Sequence, residues 1–315
     1  MAVTTTPQLR VGTRGSPLAR AQTAEVCARL AAAHPSLRED GAIEQVIIKT
    51  TGDMVRDRVL ADIGGKGLFT KEIEEALADG RIDCAVHSMK DMPTRLPDGL
   101  AIVCMLPRED PRDAFIDRDG RSFADLPSGA VVGTASLRRA AQVLHRRPDL
   151  AVVPLRGNVH TRLRKLQEHQ FDCTLLALAG LRRLSLDAVA THVMDTADML
   201  SAVAQGAIGI EARVDDERVR NLLKPLDHGP TTTAVTAERA FLDRLDGSCR
   251  TPIAALALLD GKGGLSLRGL VVSLDGKMLF ETAREGPETA AVRLGADAGE
   301  ELRSRMPAGF LAEVT

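Results

Sequence analysis

Cys249 stands in the run DGSCRTP, directly before Arg250 and two residues after Gly247, a residue type that ends helices. A cation beside a thiol favours the thiolate, so Cys249 is the chain's one candidate nucleophile or covalent attachment point; the alternative is a loop cysteine without chemistry. The other four, Cys27, Cys84, Cys104 and Cys173, sit in apolar stretches (AEVCARL, IDCAVH, AIVCML, FDCTLLAL), where cysteine behaves as a small core residue. An odd number of cysteines, no C-x-x-C pair and few histidines nearby argue against disulfides and against zinc, and no metal site is expected.

A second set of residues could hold anions. Ser16-Pro17 is a helix start, serine at the N-cap and proline at the first helical position, and Arg14 adds a guanidinium beside the exposed amides and the positive dipole end. Ser136 caps a second helix in the same way, with Thr134 in the turn before it. Arg138 and Arg139 then fall in the first helical turn, where the dipole favours Asp or Glu; an anion that neutralises them accounts for the placement. LRGNVHTRLRKL repeats the logic, with Arg156 in the turn and Arg162 one helical turn inside, while Arg164 and Lys165 point elsewhere as solvent charges. GGKGLF places Lys66 in a glycine-rich loop without the spacing of a nucleotide P-loop; a mobile lid, an anion contact and an ordinary loop fit it equally. HSMKDMP puts Ser88, Lys90 and Asp91 at the end of a strand-like run, where open α/β sheets bind ligands. Lys90 beside Asp91 reads equally as a surface ion pair. In a cleft crowded with arginines an aspartate would stay ionised and could stabilise a developing cation.

Short apolar runs rich in β-branched residues alternate with helical patterns. LRVGT precedes a helix over residues 17–33, AIEQVIIKT precedes a loop and a helix over 71–79, and IDCAVHS and LAIVCML follow. A second cycle runs AVVGT, helix 137–146, LAVVPLRG, helix 159–169 and FDCTLLAL. The alternation predicts an α/β fold with largely parallel or mixed sheets. VGTRGSPLARAQ and VGTASLRRAAQ echo each other as strand, tight turn, serine and helix, which suggests two similarly built halves. After a helix over 233–245, LSLRGLVVSLDGKMLFET carries the hairpin signal Asp275-Gly276, and a final helix holds Leu294, Leu302 and Met306 on one face. Boundaries are expected at 107–111 and around 228–230. The stretch AVAQGAIGIEAR reads as a strand returning to the first unit, which makes that domain discontinuous: 1–106 plus 207–228, then 107–206, then 229–315.

At 315 residues the chain exceeds what one core usually serves, so two or three domains are expected, and 44% hydrophobic residues can fill them. A formal net charge of −2 argues against a general nucleic-acid binder. Of the 41 basic residues 33 are arginine, a bias that suits bidentate capture of carboxylate or phosphate and that a GC-rich genome also produces. Apolar runs too short to span a bilayer, and a start (MAVTTTPQ) unlike a signal peptide, lead to the expectation of a cytoplasmic protein without membrane partners.

Taken in order, RVGTRGSPLA, GGKGLFTKE, AVHSMKDMPT, REDPRDAF, VGTASLRR, LRGNVHTRL, LALAGLRRL, AQGAIGIE, TAERAFL and GSCRTP resemble the porphobilinogen deaminases along nearly the whole chain. The resemblance implies three α/β domains: two arranged like periplasmic binding proteins with mixed sheets around a cleft, and a small α+β third carrying the cofactor cysteine. It implies a transferase of porphyrin, tetrapyrrole and heme biosynthesis, hydroxymethylbilane synthase, acting as a monomer. Four porphobilinogen molecules are condensed with loss of ammonia, and the linear tetrapyrrole is released by water. Cys249 matches the residue that holds the dipyrromethane cofactor, a primer built from substrate, by a thioether. Every pyrrole bears an acetate and a propionate. Ser88, Lys90, Thr134, Ser136, Arg138, Arg139, Arg156, Arg162 and Arg183 match positions that contact the cofactor chain, and Arg14, Ser16, Gln22, Lys66, Phe69 and Gln205 positions expected on the substrate. Asp91 matches the catalytic aspartate, which engages pyrrole N–H groups.

Some positions depart from that pattern. Asp62 stands where relatives can carry lysine, His160 and Ala204 where glycine is familiar, and the absence of Trp and Tyr leaves Phe69 as the aromatic to pack against a pyrrole. Two other classes remain from the residues alone. Paired α/β lobes with anion sites at helix starts would suit a solute receptor or sensing module, which the missing export signal weakens. A phosphate-handling transferase using the GGKG loop would need nucleotide or metal.

Overall fold

The computed structural model describes residues 7–54, 70–247 and 251–313. Asp62, Lys66, Phe69 and Cys249, all named above, lie outside the described residues. Along the first part of the chain the elements are β1 (Leu9–Arg14), α1 (Pro17–Ala33), β2 (Ile43–Ile48), α2 (Thr51–Met54), α3 (Lys71–Ala78), β3 (Cys84–Ser88), β4 (Leu100–Met105), β5 (Asp113–Asp117), β6 (Val131–Gly133), α4 (Leu137–Arg146), β7 (Ala151–Val153), α5 (Val159–Gln167), β8 (Cys173–Ala177), α6 (Leu178–Arg183) and β9 (His192–Val193). They continue with β10 (Ile208–Arg213), α7 (Glu217–Leu223), α8 (Gly229–Arg244), β11 (Ile253–Leu259), β12 (Gly264–Val272), β13 (Leu279–Pro287), α9 (Ala291–Arg305) and α10 (Phe310–Glu313). Contacts divide the chain into one unit of residues 1–108 and 207–232 and another of 109–206 and 233–315.

In the first unit a five-stranded sheet runs β2-β1-β3-β10-β4. β1 pairs in parallel with β2 and β3, and β10 lies antiparallel to both β3 and β4. Both faces are covered at the centre, so β3 and β10 are buried along nearly their whole length, whereas the edge strand β2 keeps Glu44 and Gln45 exposed. Leu9, Val11, Cys84, Val86, Ile208 and Ile210 pack on Val26 and Leu30 of α1, while Ile48, Ile82 and Ala85 pack on Ile73, Ala76 and Leu77 of α3. Each leucine, isoleucine or valine among them contributes about 1.5–3 kcal/mol when taken from water. The returning strand expected in residues 202–213 is β10, which enters the sheet between β3 and β4.

The second unit holds a sheet with the same plan, β7-β6-β8-β5-β9: β6 is parallel to β7 and β8, and β5 is antiparallel to β8 and β9. The echo between the two VGT segments therefore marks a shared strand order. The sequence pattern does not mark β5, because DAFID carries an aspartate at each end. All five of its residues are buried and both carboxylates have cationic partners.

A small third body carries the antiparallel sheet β11-β12-β13 with α9 against it, and α8 meets it through Phe241 over Gly269 and Glu238 at the Ala257 amide. Apolar residues of β11 and β12 also share a cluster with Ala141 of α4 and Leu200. The Asp275-Gly276 turn joins β12 to β13 with Gly276 at φ +75°, and the carbonyl of Gly276 lies 2.8 Å from His145 Nδ1 at the end of α4. Leu294 and Leu302 face inward on α9 as their spacing predicts. The helix expected at 233–245 begins earlier, at Gly229, because Pro230 is admitted in a first turn whose amides need no helical partner.

α8 and α9 approach closely at two glycines. A methyl on Gly295 would stand 2.1 Å from the Ala237 backbone oxygen, and one on Gly299 would stand 2.8 Å from that of Phe241. Alanine gains about 1 kcal/mol of helix propensity over glycine, but a backbone oxygen cannot rotate aside. Gly295→Ala is therefore expected to lose about 1–3 kcal/mol net, read as a lower urea midpoint; an unchanged or higher midpoint would contradict this packing.

Candidate functional site

Parallel strands end together, and each large sheet gathers its chemistry-bearing residues at the carboxyl ends of its parallel strands. In the first unit β1 ends at Arg14 and β3 at Ser88. Ser16 caps α1, its hydroxyl oxygen accepting the Ala19 amide at 3.2 Å, with Pro17 next. Gln22, buried one turn further on, brings its amide to Ser88: the hydroxyl lies 2.8 Å from Nε2 and 3.0 Å from Oε1. Lys90 and Asp91, both half-buried, follow in a 3-10 turn over Met89–Asp91. The Met89 amide donates to the Ala207 carbonyl at 3.0 Å just before β10, and its side chain is buried over Gly209, where a Cβ would meet the sulfur at 2.1 Å. Thus β10 supplies the floor on which this turn rests.

In the second unit the same positions follow β6, β7 and β8. Thr134 accepts the Ser136 amide at 3.1 Å, and Ser136 caps α4 by accepting the Arg139 amide at 3.4 Å. Arg138 and Arg139 are 4% and 5% exposed. Both turn to Asp113 of β5, which is wholly buried. Arg138 donates to one carboxylate oxygen at 2.7 Å, and Arg139 donates to the other from Nε at 3.1 Å and from its terminal nitrogen at 2.7 Å. The anion that the sequence asked for is supplied in part by the chain itself. Burial alone would push the Asp113 carboxyl up; Arg138 and Arg139 outweigh it and hold the group well below the usual carboxylate range. Burial, with Arg139 beside it, lowers Arg138 in turn, partly offset by Asp113; a guanidinium keeps its charge in proteins.

Gln205, one of the positions the resemblance places on substrate, is buried and donates to the Pro111 carbonyl at 2.7 Å and to Asp113 at 3.0 Å. Its neighbour Ala204 takes the left-handed conformation, φ +58°, which glycine adopts without strain. The Ala204 amide donates to Glu238 of α8 at 2.6 Å, and the other oxygen of Glu238 accepts the Ala257 amide of β11 at 2.8 Å. Arg156 sits half-buried in the turn after β7. Arg162 donates back to the Gly157 carbonyl at 2.8 Å, and Arg183 donates to the Gly206 carbonyl at 3.0 Å. Arg164 is exposed and pairs with Glu168, as a solvent charge should. His160 lies inside α5.

Asp113, Glu238, His87 and Glu211 went unmarked in the sequence. Only Asp113 left a signal there, since two cations in the first turn of a helix call for a counter-ion. Among the described residues no group of His, Cys, Asp and Glu is arranged to hold a metal, and no helix is long and apolar enough to cross a membrane.

Two family profiles match the chain: porphobilinogen deaminase, dipyromethane cofactor binding domain, over residues 9–221, and porphobilinogen deaminase, C-terminal domain, over residues 232–304. A porphobilinogen deaminase named as chloroplastic from Oryza sativa subsp. japonica is 58% identical over 304 residues, 96% of this chain and 85% of that one. The porphobilinogen deaminase of Paracoccus denitrificans is 54% identical over 302 residues, 96% of each. Among solved structures, a periplasmic substrate-binding protein of an ABC transporter from Coxiella burnetii aligns with a TM-score of 0.42 at 16% identity, over 73% of this chain and 96% of that one. With both profiles covering most of its length and relatives identical at more than half of the aligned positions, the chain belongs to the porphobilinogen deaminase family and is a hydroxymethylbilane synthase, a transferase of tetrapyrrole biosynthesis.

Proposed function

We propose that Cys249 carries the dipyrromethane cofactor by a thioether, that Asp91 is the catalytic group, and that the arginines at the strand ends hold the acetate and propionate arms of the pyrroles. The observation that carries this reading is the charge left over around Asp113. Two guanidiniums face one carboxylate, so one positive charge stays buried, and Nε of Arg138 has no hydrogen-bond partner among the described residues. A buried donor and a buried net charge, at the start of a helix whose dipole adds to them, fit an acidic ligand. Ser136, Arg156, Arg162 and Arg183 extend that donor set, and Arg14, Ser16 and Gln22 form its counterpart in the first unit. The donors suit carboxylates, so the residues present fit a cofactor with acetate and propionate arms.

When bound, the dipyrromethane supplies the free α-carbon from which the chain grows. The protein's part is positional and electrostatic. Arginines that fork onto carboxylates fix each ring, which removes rotational freedom before reaction. Asp91 accepts pyrrole N–H groups and offsets the positive charge that builds on the substrate ring as ammonia leaves. We further propose three domains, 1–106 plus 207–228, 107–206 and 229–315, supported by the changes of contact unit at 108/109, 206/207 and 232/233. The working protein is taken as a cytoplasmic monomer with porphobilinogen as its substrate, which gel filtration and cell fractionation would check.

Replacing Asp91 by asparagine should leave the cofactor mass in place and slow turnover about 10²–10⁴-fold; near-normal turnover would remove Asp91 from the chemistry. For Cys249→Ser the intact mass should lack the dipyrrole and the colour with Ehrlich's reagent should vanish, whereas an unchanged holoprotein mass refutes the attachment. Asp113→Asn leaves two buried guanidiniums without their counter-ion and should cost about 3–5 kcal/mol. Because the Asp113 carboxyl is lowered in the fold, its contribution is present above the ordinary carboxylate pKa of about 3.9 and is lost as pH falls. The gap in urea midpoint between wild type and variant should therefore narrow on acidification, and a gap independent of pH would contradict the ion pair.

A further inference from the structure

A second buried acid lies in the first unit, at the antiparallel strand of its sheet. His87 Nε2 and Glu211 Oε2 are 3.0 Å apart, with side chains 5% and 0% exposed. Glu211 faces Ala85 across the β3–β10 ladder and His87 faces Gly209, so the contact runs diagonally over the last pairs before the ladder closes at Ile208 and Ser88. The other oxygen of Glu211 has no partner among the described residues. Glu74 of α3 is the remaining acid nearby: burial pushes its carboxyl up, Glu211 adds to that, and Thr70 and His87 pull it down.

Such a pair is poor value for stability alone. A buried charge with an unsatisfied oxygen costs free energy, and apolar side chains of similar size commonly do as well or better. Its position suggests another use. The residue after His87 is Ser88, held by Gln22; then Met89 seats its side chain over Gly209, and Lys90 and Asp91 follow. Whatever fixes β10 against the end of β3 fixes the base of that turn.

We propose that the diagonal His87–Glu211 bond is a positioning device for the Met89–Asp91 turn, holding Asp91 where the reaction needs it. This rests on the reading of Asp91 as the catalytic group. His87 and Glu211 are positioning residues, buried within the sheet's α3-side layer, and touch neither substrate nor cofactor.

The test uses holoprotein, its cofactor checked by intact mass, with kcat and KM for porphobilinogen and urea unfolding measured together. Glu211→Leu should fold with stability equal to or above wild type yet lose kcat by about 10²-fold, the scale of an ångström's misplacement, with KM within about threefold. Glu211→Gln keeps an oxygen to accept from the imidazole and should recover most of the rate. Glu74→Gln, outside the bond, should keep wild-type kcat. Full kcat in folded Glu211→Leu overturns the proposal, as does an equal loss in Glu74→Gln. Failure of both Glu211 variants to fold also overturns it, assigning the pair to stability. If Asp91→Asn alone retains turnover while Glu211→Leu is slow, the reading of Asp91 fails and the turn serves the reaction through Lys90 instead.

Discussion

A charge removed from water persists in a fold only where another group answers it, and the second sheet is organised around one such answer. Asp113 sits wholly buried on β5 and receives two guanidiniums that α4 carries in its first turn, the place where a helix least favours cations. The Leu200 carbonyl accepts from Arg138, and Gln205 closes on the same carboxylate, so neighbouring segments are tied to this one group. One carboxylate cannot cancel two cations, and the remaining positive charge is the feature on which the proposed binding of acidic arms rests.

The first sheet follows a related plan with different chemistry. Its antiparallel strand, β10, also carries a buried acid, and Glu211 meets an imidazole rather than guanidiniums. Both sheets place the antiparallel strand beside the third parallel one. Their opening turns then diverge: Arg14 precedes the cap Ser16, whereas Arg138 and Arg139 follow the cap Ser136. The first helix thus leaves its N-terminal amides beside one cation, and the second concentrates two in the protein interior.

Helices were legible where their ends carry chemistry. Ser16-Pro17 and Ser136 fixed the starts of α1 and α4, and the predicted bounds 17–33 and 137–146 match the elements found. Apolar strands covered on both faces were equally plain. β5 was not, because its meaning lies in Arg138 and Arg139, some 25 positions away in sequence. β11 escaped notice for the opposite reason, since IAALALL is apolar without alternation and reads as helix or strand alike. Turn and cap signals point to the strand-end positions Ser16, Ser88, Ser136 and Arg138, whereas nothing local in the sequence shows the Gln205 amide turned toward Asp113.

The insertion of β10 between β3 and β4 also bears on synthesis. As the chain leaves the ribosome, β4 has no neighbouring strand among the described residues until residues 208–213 have emerged, because β10 is its one described partner. The five strands of the second sheet, by contrast, all lie within residues 113–193. The later-encoded sheet is thus complete on the nascent chain before the earlier one can close, and a newborn edge must be shielded for about a hundred residues of elongation, the interval in which unpaired strands invite aggregation.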